Sequence, residues 1–394
     1  MELNIPTARL KRSRNQSHAL ISAITFFALV THFCPLAGDP EAHGQTNLWT
    51  DQNQDAFVRS PTGVAGIVRY TNNGTWLDYA YLSKPEYWTQ VPRVAARMKE
   101  DHVHFWFLNV GSMDASGKLT GGVTNAVHFL NELKEWEDQN HDRFTVFAWL
   151  NANWPKVDLT NTVVRANMAG ECGKLVSTNV SNSYIVGASR AFDGIQLDFE
   201  PCGQRLNVFD SLVNFFDQVH AKFAAIGVAD KLTSFTPEKY GTNNSEWVWR
   251  PQFYYDLAPH LDLLCVMTYD SGIKTGSTYQ DWIENQTTNI LRAVSGKWWN
   301  NDAQHPPPTN RVKVMIGFPA FPNSKWHTNT AENIVFASSG VKAALAELSR
   351  RGDVSARYFE GAAVYLHSDG TGINGYANCD TDWRWFQEHW LNAR

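Results

Sequence analysis

The segment Phe192-Asp193-Gly194-Ile195-Gln196-Leu197-Asp198-Phe199-Glu200-Pro201 sets two acids and an amide at alternate positions of an apolar run. Successive side chains of a strand point to opposite faces, so Gln196, Asp198 and Glu200 share one face while Ile195, Leu197 and Phe199 share the other. With the apolar set packed outward against helices, the polar set faces the interior of a sheet or barrel. A carboxylate taken out of water without a partner is costly, so a strand that keeps two of them on one inward face points to chemistry.

Outward from this segment, past a polar lead at 45–62, strand-like and helix-like runs alternate, as expected of a parallel α/β fold. Strand candidates fall at 63–70, 103–110, 144–150, 193–200, 232–236, 261–268, 312–318 and 361–366. Eight is the number that closes a barrel, so the predicted fold class is α/β, a (β/α)8 TIM barrel, in a single domain over 45–394. Ser83-x-x-Glu86 and Ser277-x-x-Gln280 read as capping boxes, and Gly227, Gly296 and Gly352 sit where helices should stop. Phe209, Leu212, Val213, Phe216 and Phe223 recur at helical spacing and predict a core-facing stripe. Pro306-Pro307-Pro308 lies in a loop at 300–310 ahead of the seventh strand. Active residues of such a barrel lie at the C-terminal ends of its strands, where Glu200 and Tyr269 both fall.

Asp193-Gly194-x-Gln196-x-Asp198-x-Glu200 resembles the fourth-strand signature D-G-x-D-x-D-x-E of glycoside hydrolase family 18, the chitinase-like (β/α)8 barrels. Gln196 replaces the first Asp of the D-x-D-x-E core. Met267-Thr268-Tyr269-Asp270 matches a second landmark of that family, at the end of strand six, about 70 residues downstream and so two βα units on. The resemblance spans most of the chain after residue 44, with the specific matches confined to strands four and six. It implies retaining hydrolysis of β-linked N-acetylglucosamine glycans such as chitin, peptidoglycan or N-glycan cores, with no cofactor and no metal.

In this family the substrate's own 2-acetamido oxygen attacks, an exception to the two-carboxylate rule. The resemblance therefore implies Glu200 as general acid, Asp198 as acceptor for the acetamide N–H and Tyr269 as donor to the acetamide carbonyl. Asp198 should raise the pKa of Glu200 by like-charge repulsion. Asp270 is expected to contact substrate, and Gln196 can hydrogen-bond but cannot titrate. Tyr365, in Val364-Tyr365-Leu366, stands where the family has a Trp that floors the acetamide pocket, and 148–153 departs from the family's strand-three turn. Glu238 and Tyr240, just beyond strand five, are candidates for the cleft wall. Asp193 is expected to support the opposite end of the barrel. Two rivals remain: a non-catalytic, lectin-like barrel, and a glycosidase using a remote second carboxylate such as Glu238 or Asp270.

The chain has 394 residues, 43% hydrophobic and 19% charged, with a net charge of −5, and shows no basic stripe suited to nucleic acid. Arg9, Lys11, Arg12 and Arg14, an apolar run at 19–30 and Ala42-His43-Gly44 have the layout of a signal peptide over 1–44. The expectation is a secreted or periplasmic monomer with no membrane span after residue 44, whose partner is an N-acetylglucosamine-containing oligo- or polysaccharide. Cys172, Cys202, Cys265 and Cys379 permit two disulfides; Cys172 and Cys202 flank strand four and could be joined, whereas Cys265 reads as a small buried hydrophobe. Most of the 16 Trp residues, Trp106, Trp282, Trp383 and Trp385 among them, read as core or helix packing, while Trp76, Trp88 and Trp154 are candidates for the sugar-facing rim. His102 and His104 read as structural, at the end of strand two away from the site.

Overall fold

The computed structural model of the protein describes residues 72–202, 205–309, 312–321, 323–367 and 383–391. Eight parallel strands run in sequential order: β1 (Asn73–Leu77), β2 (Val103–Met113), β3 (Thr145–Asn153), β4 (Gly194–Glu200), β5 (Leu232–Phe235), β6 (Leu263–Val266), β7 (Lys313–Pro319) and β8 (Phe359–His367). Both β2 and β8 pair with β1 in parallel, which closes the sheet into the predicted (β/α)8 barrel. A short antiparallel arm, Leu119–Thr120, folds back on Ser112 and Met113 at the end of β2.

After two single turns at Ala80–Ser83 and Pro85–Trp88, the longer helices between the strands are α1 (Val91–Glu100), α2 (Ala126–Asn140), α3 (Thr162–Val176), α4 (Leu206–Ala225), α5 (Pro251–Leu257), α6 (Gly276–Val294) and α7 (Ile334–Arg350). The 63–70 window lies outside the described residues, as do the signal layout at 1–44 and Cys379; the barrel's first strand is the next run along, at Asn73–Leu77. Asn73 seals this seam. Its Oδ1 accepts from Ala362 N at 3.1 Å and from Trp390 Nε1 at 2.8 Å, and its Nδ2 donates to the His102 carbonyl at 3.2 Å.

Two apolar layers follow from strand alternation. Trp76, Phe105, Phe107, Phe147, Trp149 and Met315 fill the barrel interior together with Cys265. Ile195, Leu197 and Phe199 face outward, in one cluster with Phe209, Leu212, Phe216 and Phe223 of α4, as the stripe predicts, and Val213 packs against it half-buried. The Asp193-Gly194 pair opens β4 for steric reasons. A Cβ at Gly194 would lie 2.4 Å from the Leu232 carbonyl oxygen and 2.8 Å from the Phe147 ring, so only glycine lets β5 approach there.

Both capping boxes are corrected. Pro85 begins its own turn, which puts Lys84 at the cap and leaves Ser83 closing the preceding turn; α6 starts at Gly276, which puts Ser277 inside the helix. Neither helix start has a side-chain cap, whereas Asn161 and Asn333 cap α3 and α7 through their Oδ1 atoms. Gly227, Gly296 and Gly352 do follow the ends of α4, α6 and α7, with φ of 77°, 74° and 64°.

The Cys172–Cys202 bridge is also corrected: both thiols are free and fully buried, Cys172 in the helix–sheet layer and Cys202 with its backbone N–H bound to Glu238. Burial pushes both thiols up, which keeps them protonated and unreactive. Cys265 is buried in the barrel interior as expected. At the N-terminal end of β4, Asp193 accepts from Arg143 at 2.8 Å, from Val146 N at 2.9 Å and from Arg190, and so ties β3 to β4 away from the acids at the other end.

Candidate active site

Parallel pairing sets Trp149 opposite Gln196 and Asn151 opposite Asp198 across β3 and β4, and the polar face of β4 points into the barrel. Gln196 lies deepest. Its Oε1 accepts from Trp76 Nε1 at 2.7 Å and its Nε2 donates to Ser234 Oγ at 3.1 Å, with no exposed surface. The amide thereby accepts from a buried indole and donates to a buried hydroxyl at once, without carrying a charge into the core. Gln196 is a link within the barrel core and does not line the cavity above it.

Asp198 is next along the strand. Trp149 Nε1 donates to its Oδ2 at 3.2 Å, while its Oδ1 is buried and accepts no hydrogen bond. Burial pushes Asp198 up to about 6, against the lowering effect of the Trp149 hydrogen bond. Glu200 follows at the strand's C-terminal end. Its pKa is raised well above the usual carboxylate range, first by burial and then by Asp198, Glu238 and Asp270, with Lys239 acting in the opposite sense. The repulsion from Asp198 is the one expected from two acids side by side on a strand.

Tyr269 comes from the segment after β6. It is 7% exposed and stacks on Tyr365 at 5.2 Å and 16°, with Phe321 edge-on at 5.5 Å. Gly317 makes room for it, since a Cβ there would sit 3.0 Å from the Tyr269 ring and 2.6 Å from the Val266 carbonyl oxygen. Burial, then Tyr365 and the nearby acids, push the phenol well above its ordinary value, so it stays a hydrogen-bond donor. Tyr365 also meets Trp76 at 5.6 Å and Trp149 at 6.3 Å, both edge-on. It joins the barrel's aromatic interior to Tyr269 and is not itself a wall of the cavity.

Above these residues opens a cavity of about 670 Å³, walled by Glu200, Glu238, Lys239, Tyr269 and Asp270 with Met267, Ser245 and Ser271. Trp247 and Trp326 complete the wall and remain 46% and 59% exposed. Glu238 anchors its side of the cavity by accepting from Cys202 N at 2.7 Å. Asp270 adopts a left-handed backbone with φ of 52°, and its Oδ1 is buried without a partner. Burial raises its carboxyl, as does Glu332, against His327, Lys239 and Ser324. Lys239 Nζ donates to the Asp270 carbonyl at 3.3 Å. Burial lowers the Lys239 ammonium, against the surrounding carboxylates. Behind Asp270, buried Glu332 accepts from Ser271 Oγ at 2.8 Å and meets His327 Nδ1 at 3.4 Å, which pins the loop after β7 to the loop after β6.

Glu200, Tyr269, Asp270 and Glu238 therefore converge on one cavity, with Asp198 beside Glu200 on the same strand face. Tyr240 does not join them: its backbone is held by Gln286 at 2.7 and 2.8 Å and its ring packs on Trp298 at 5.5 Å. The rim tryptophans differ from those expected. Trp76 is buried in the barrel, Trp88 stacks on His128 at 4.1 Å, and Trp154 lies under Arg205 at 5.8 Å. The aromatic walls are instead Trp247, after Asn243-Asn244-Ser245-Glu246, and Trp326, after Asn323-Ser324-Lys325; a Trp in a polar loop after a strand is the signal that could have found them. Lys239 carries no such signal, because one lysine beside a strand end looks like any surface lysine.

Compared with solved structures, the chain aligns with the C-terminal domain of a putative chitinase from Desulfitobacterium hafniense DCB-2 at 14% identity and TM-score 0.49, covering 82% of this chain and 99% of that one. A chitinase from Bacteroides thetaiotaomicron aligns at 13% identity and TM-score 0.45, covering 82% and 100%. The xylanase and alpha-amylase inhibitor protein XAIP-II from Scadoxus multiflorus aligns at 12% identity and TM-score 0.47, covering 78% and 97%. No protein-family model matches the chain, and no curated protein matches it. No activity transfers at these values.

Proposed function

We propose that this chain is an exported glycoside hydrolase that cleaves β-linked N-acetylglucosamine-containing glycans by a retaining, substrate-assisted route. The observation that carries the reading is the pair on β4: Glu200, a carboxyl whose pKa is raised well above the usual range, at the wall of an open cavity, beside Asp198, one of whose oxygens is left unpartnered. Glu200 gives its proton to the leaving glycosidic oxygen as the bond to the anomeric carbon breaks. The 2-acetamido carbonyl oxygen forms the new bond to that carbon, giving an oxazolinium ion. Asp198 accepts the acetamide N–H and balances the developing positive charge, and Tyr269 donates to the acetamide oxygen. Glu200, now ionised, takes a proton from the water that opens the ring, which restores the acid and retains configuration. Two acids two residues apart on one strand lie side by side, which favours an internal nucleophile over a pair flanking the sugar.

Glu238 and Asp270 line the same cavity, and that favours one second reading, in which one of them is the nucleophile. The deciding experiment is product release from chitooligosaccharides, peptidoglycan fragments and a matched glucan by wild type and Glu200→Gln. Cleavage of an acetamido substrate, lost by about 10²- to 10⁴-fold in the variant with the glucan untouched, is expected. Cleavage of the glucan would select the remote-carboxylate reading. Oligosaccharide binding by both proteins without product would make the chain a lectin-like barrel.

A further inference from the structure

Asp198 presents two oxygens, and the fold treats them unequally. Trp149 lies on β3 in the barrel interior, 5% exposed, and its Nε1 donates to Oδ2 at 3.2 Å. Oδ1 is buried and accepts nothing. An indole N–H can only donate, so it fixes which oxygen is engaged and which is free. A buried acceptor without a donor is costly unless something supplies the donor, and a substrate N–H is the group the proposed chemistry puts there. Trp149 is itself held: Tyr365 meets it edge-on at 6.3 Å and stacks on Tyr269. One aromatic group therefore locates both the donor to Asp198 and the Tyr269 hydroxyl. Gln196, on the same face of β4, is committed to Trp76 and Ser234 and is not hydrogen-bonded to Asp198.

We propose that Trp149 is a positioning residue for Asp198: its indole N–H occupies Oδ2 and leaves Oδ1 as the single acceptor for a secondary amide on the sugar. The inference rests on the function proposed above and adds how the site reads the 2-acylamino group. The groups that face Asp198 are Glu200 on its own strand, Thr236 after β5 and Tyr269 after β6; Thr236 gives its hydroxyl to the Leu197 carbonyl at 3.1 Å, so Trp149 is the neutral donor bound to the carboxylate. Removing that donor leaves burial and the repulsion from Glu200 with less opposition.

The test uses Trp149→Phe and, to preserve shape, replacement of Trp149 by its benzothiophene isostere, which keeps the ring and lacks the N–H. Two quantities are read: the Asp198 titration by carboxyl ¹³C NMR without substrate, and the pH dependence of kcat and KM on chitooligosaccharides. The inference expects Asp198 to titrate higher by about one pH unit in the isostere, with the acid limb of kcat moving by the same amount. It further expects kcat near pH 6 to fall by roughly fivefold while KM changes little. An Asp198 titration identical in wild type and isostere would overturn it, whatever the phenylalanine variant does to folding. Because that titration needs no substrate, a wild type that cleaves no acetamido glycan would sink the proposed function and still leave Trp149 decided.

Discussion

Asp198 and Glu200 are raised by the same burial that makes them useful, and this ties activity to stability through pH. A carboxyl whose folded pKa is raised stabilises the fold fully below its unfolded value, and that contribution is lost as pH rises through the folded one. For Asp198 the window runs from the ordinary 3.8 to about 6. Asp198→Asn is therefore expected to stabilise the protein by on the order of 2–3 kcal/mol at pH 8 and by little at pH 4, as read from urea midpoints. An equal effect at both pH values would count against a buried charge at this position. Gln196→Asp places a titratable group where an amide now bridges Trp76 and Ser234. The acid limb of the pH–rate profile should move up by roughly one unit, and an unchanged profile would exclude coupling between positions 196 and 198. At this scale the two acids and Tyr269 were legible because strand alternation and a family motif both mark them. Trp247 and Trp326 carry only the signal of a Trp in a polar loop and Lys239 carries none, because local sequence does not say which loop turns toward the cavity.

The elements were set by local rules where those rules act alone. β4 begins and ends as its alternation predicts, and Gly194 is required because the Leu232 carbonyl passes within reach of a side chain there. Helix starts differ where two signals compete: Pro85 takes the first helical position and displaces the Ser83 box, and a start two residues earlier leaves Ser277 inside α6. The caps that function are asparagines. Asn161 Oδ1 accepts from Val163 N at 2.9 Å at the start of α3. Asn161→Ala should lower stability by about 1 kcal/mol, seen as a shift of the urea midpoint, with kcat unchanged. A loss of activity at full stability would show that α3 communicates with the cavity.

Over the whole molecule the barrel separates its two ends by task. At the N-terminal end of the strands, Arg190 is buried between Glu137 and Asp193 and also donates to the Phe144 carbonyl at 3.1 Å, while the cavity acids stand at the other end. Arg190→Ala strands two carboxylates in that network and should destabilise by about 3–5 kcal/mol, lowering Tm, while kcat measured well below the transition stays at the wild-type value. A selective loss of kcat would mean that this end shapes the site. By itself the sequence determined the eight-strand barrel, the inward face of β4 and the end at which its acids emerge, because side-chain alternation and the order of strands are properties of neighbouring residues along the chain. It also permitted a disulfide and a sugar-facing rim that the fold places otherwise. Only the tertiary structure decided that Cys172 and Cys202 stay free thiols, that Gln196 is a core link and Tyr240 stands outside the cavity, that Trp149 holds Asp198, and that Trp247 and Trp326 wall the opening. Each of those depends on groups brought together across strands and loops far apart in sequence, and closure of the barrel fixes those distances.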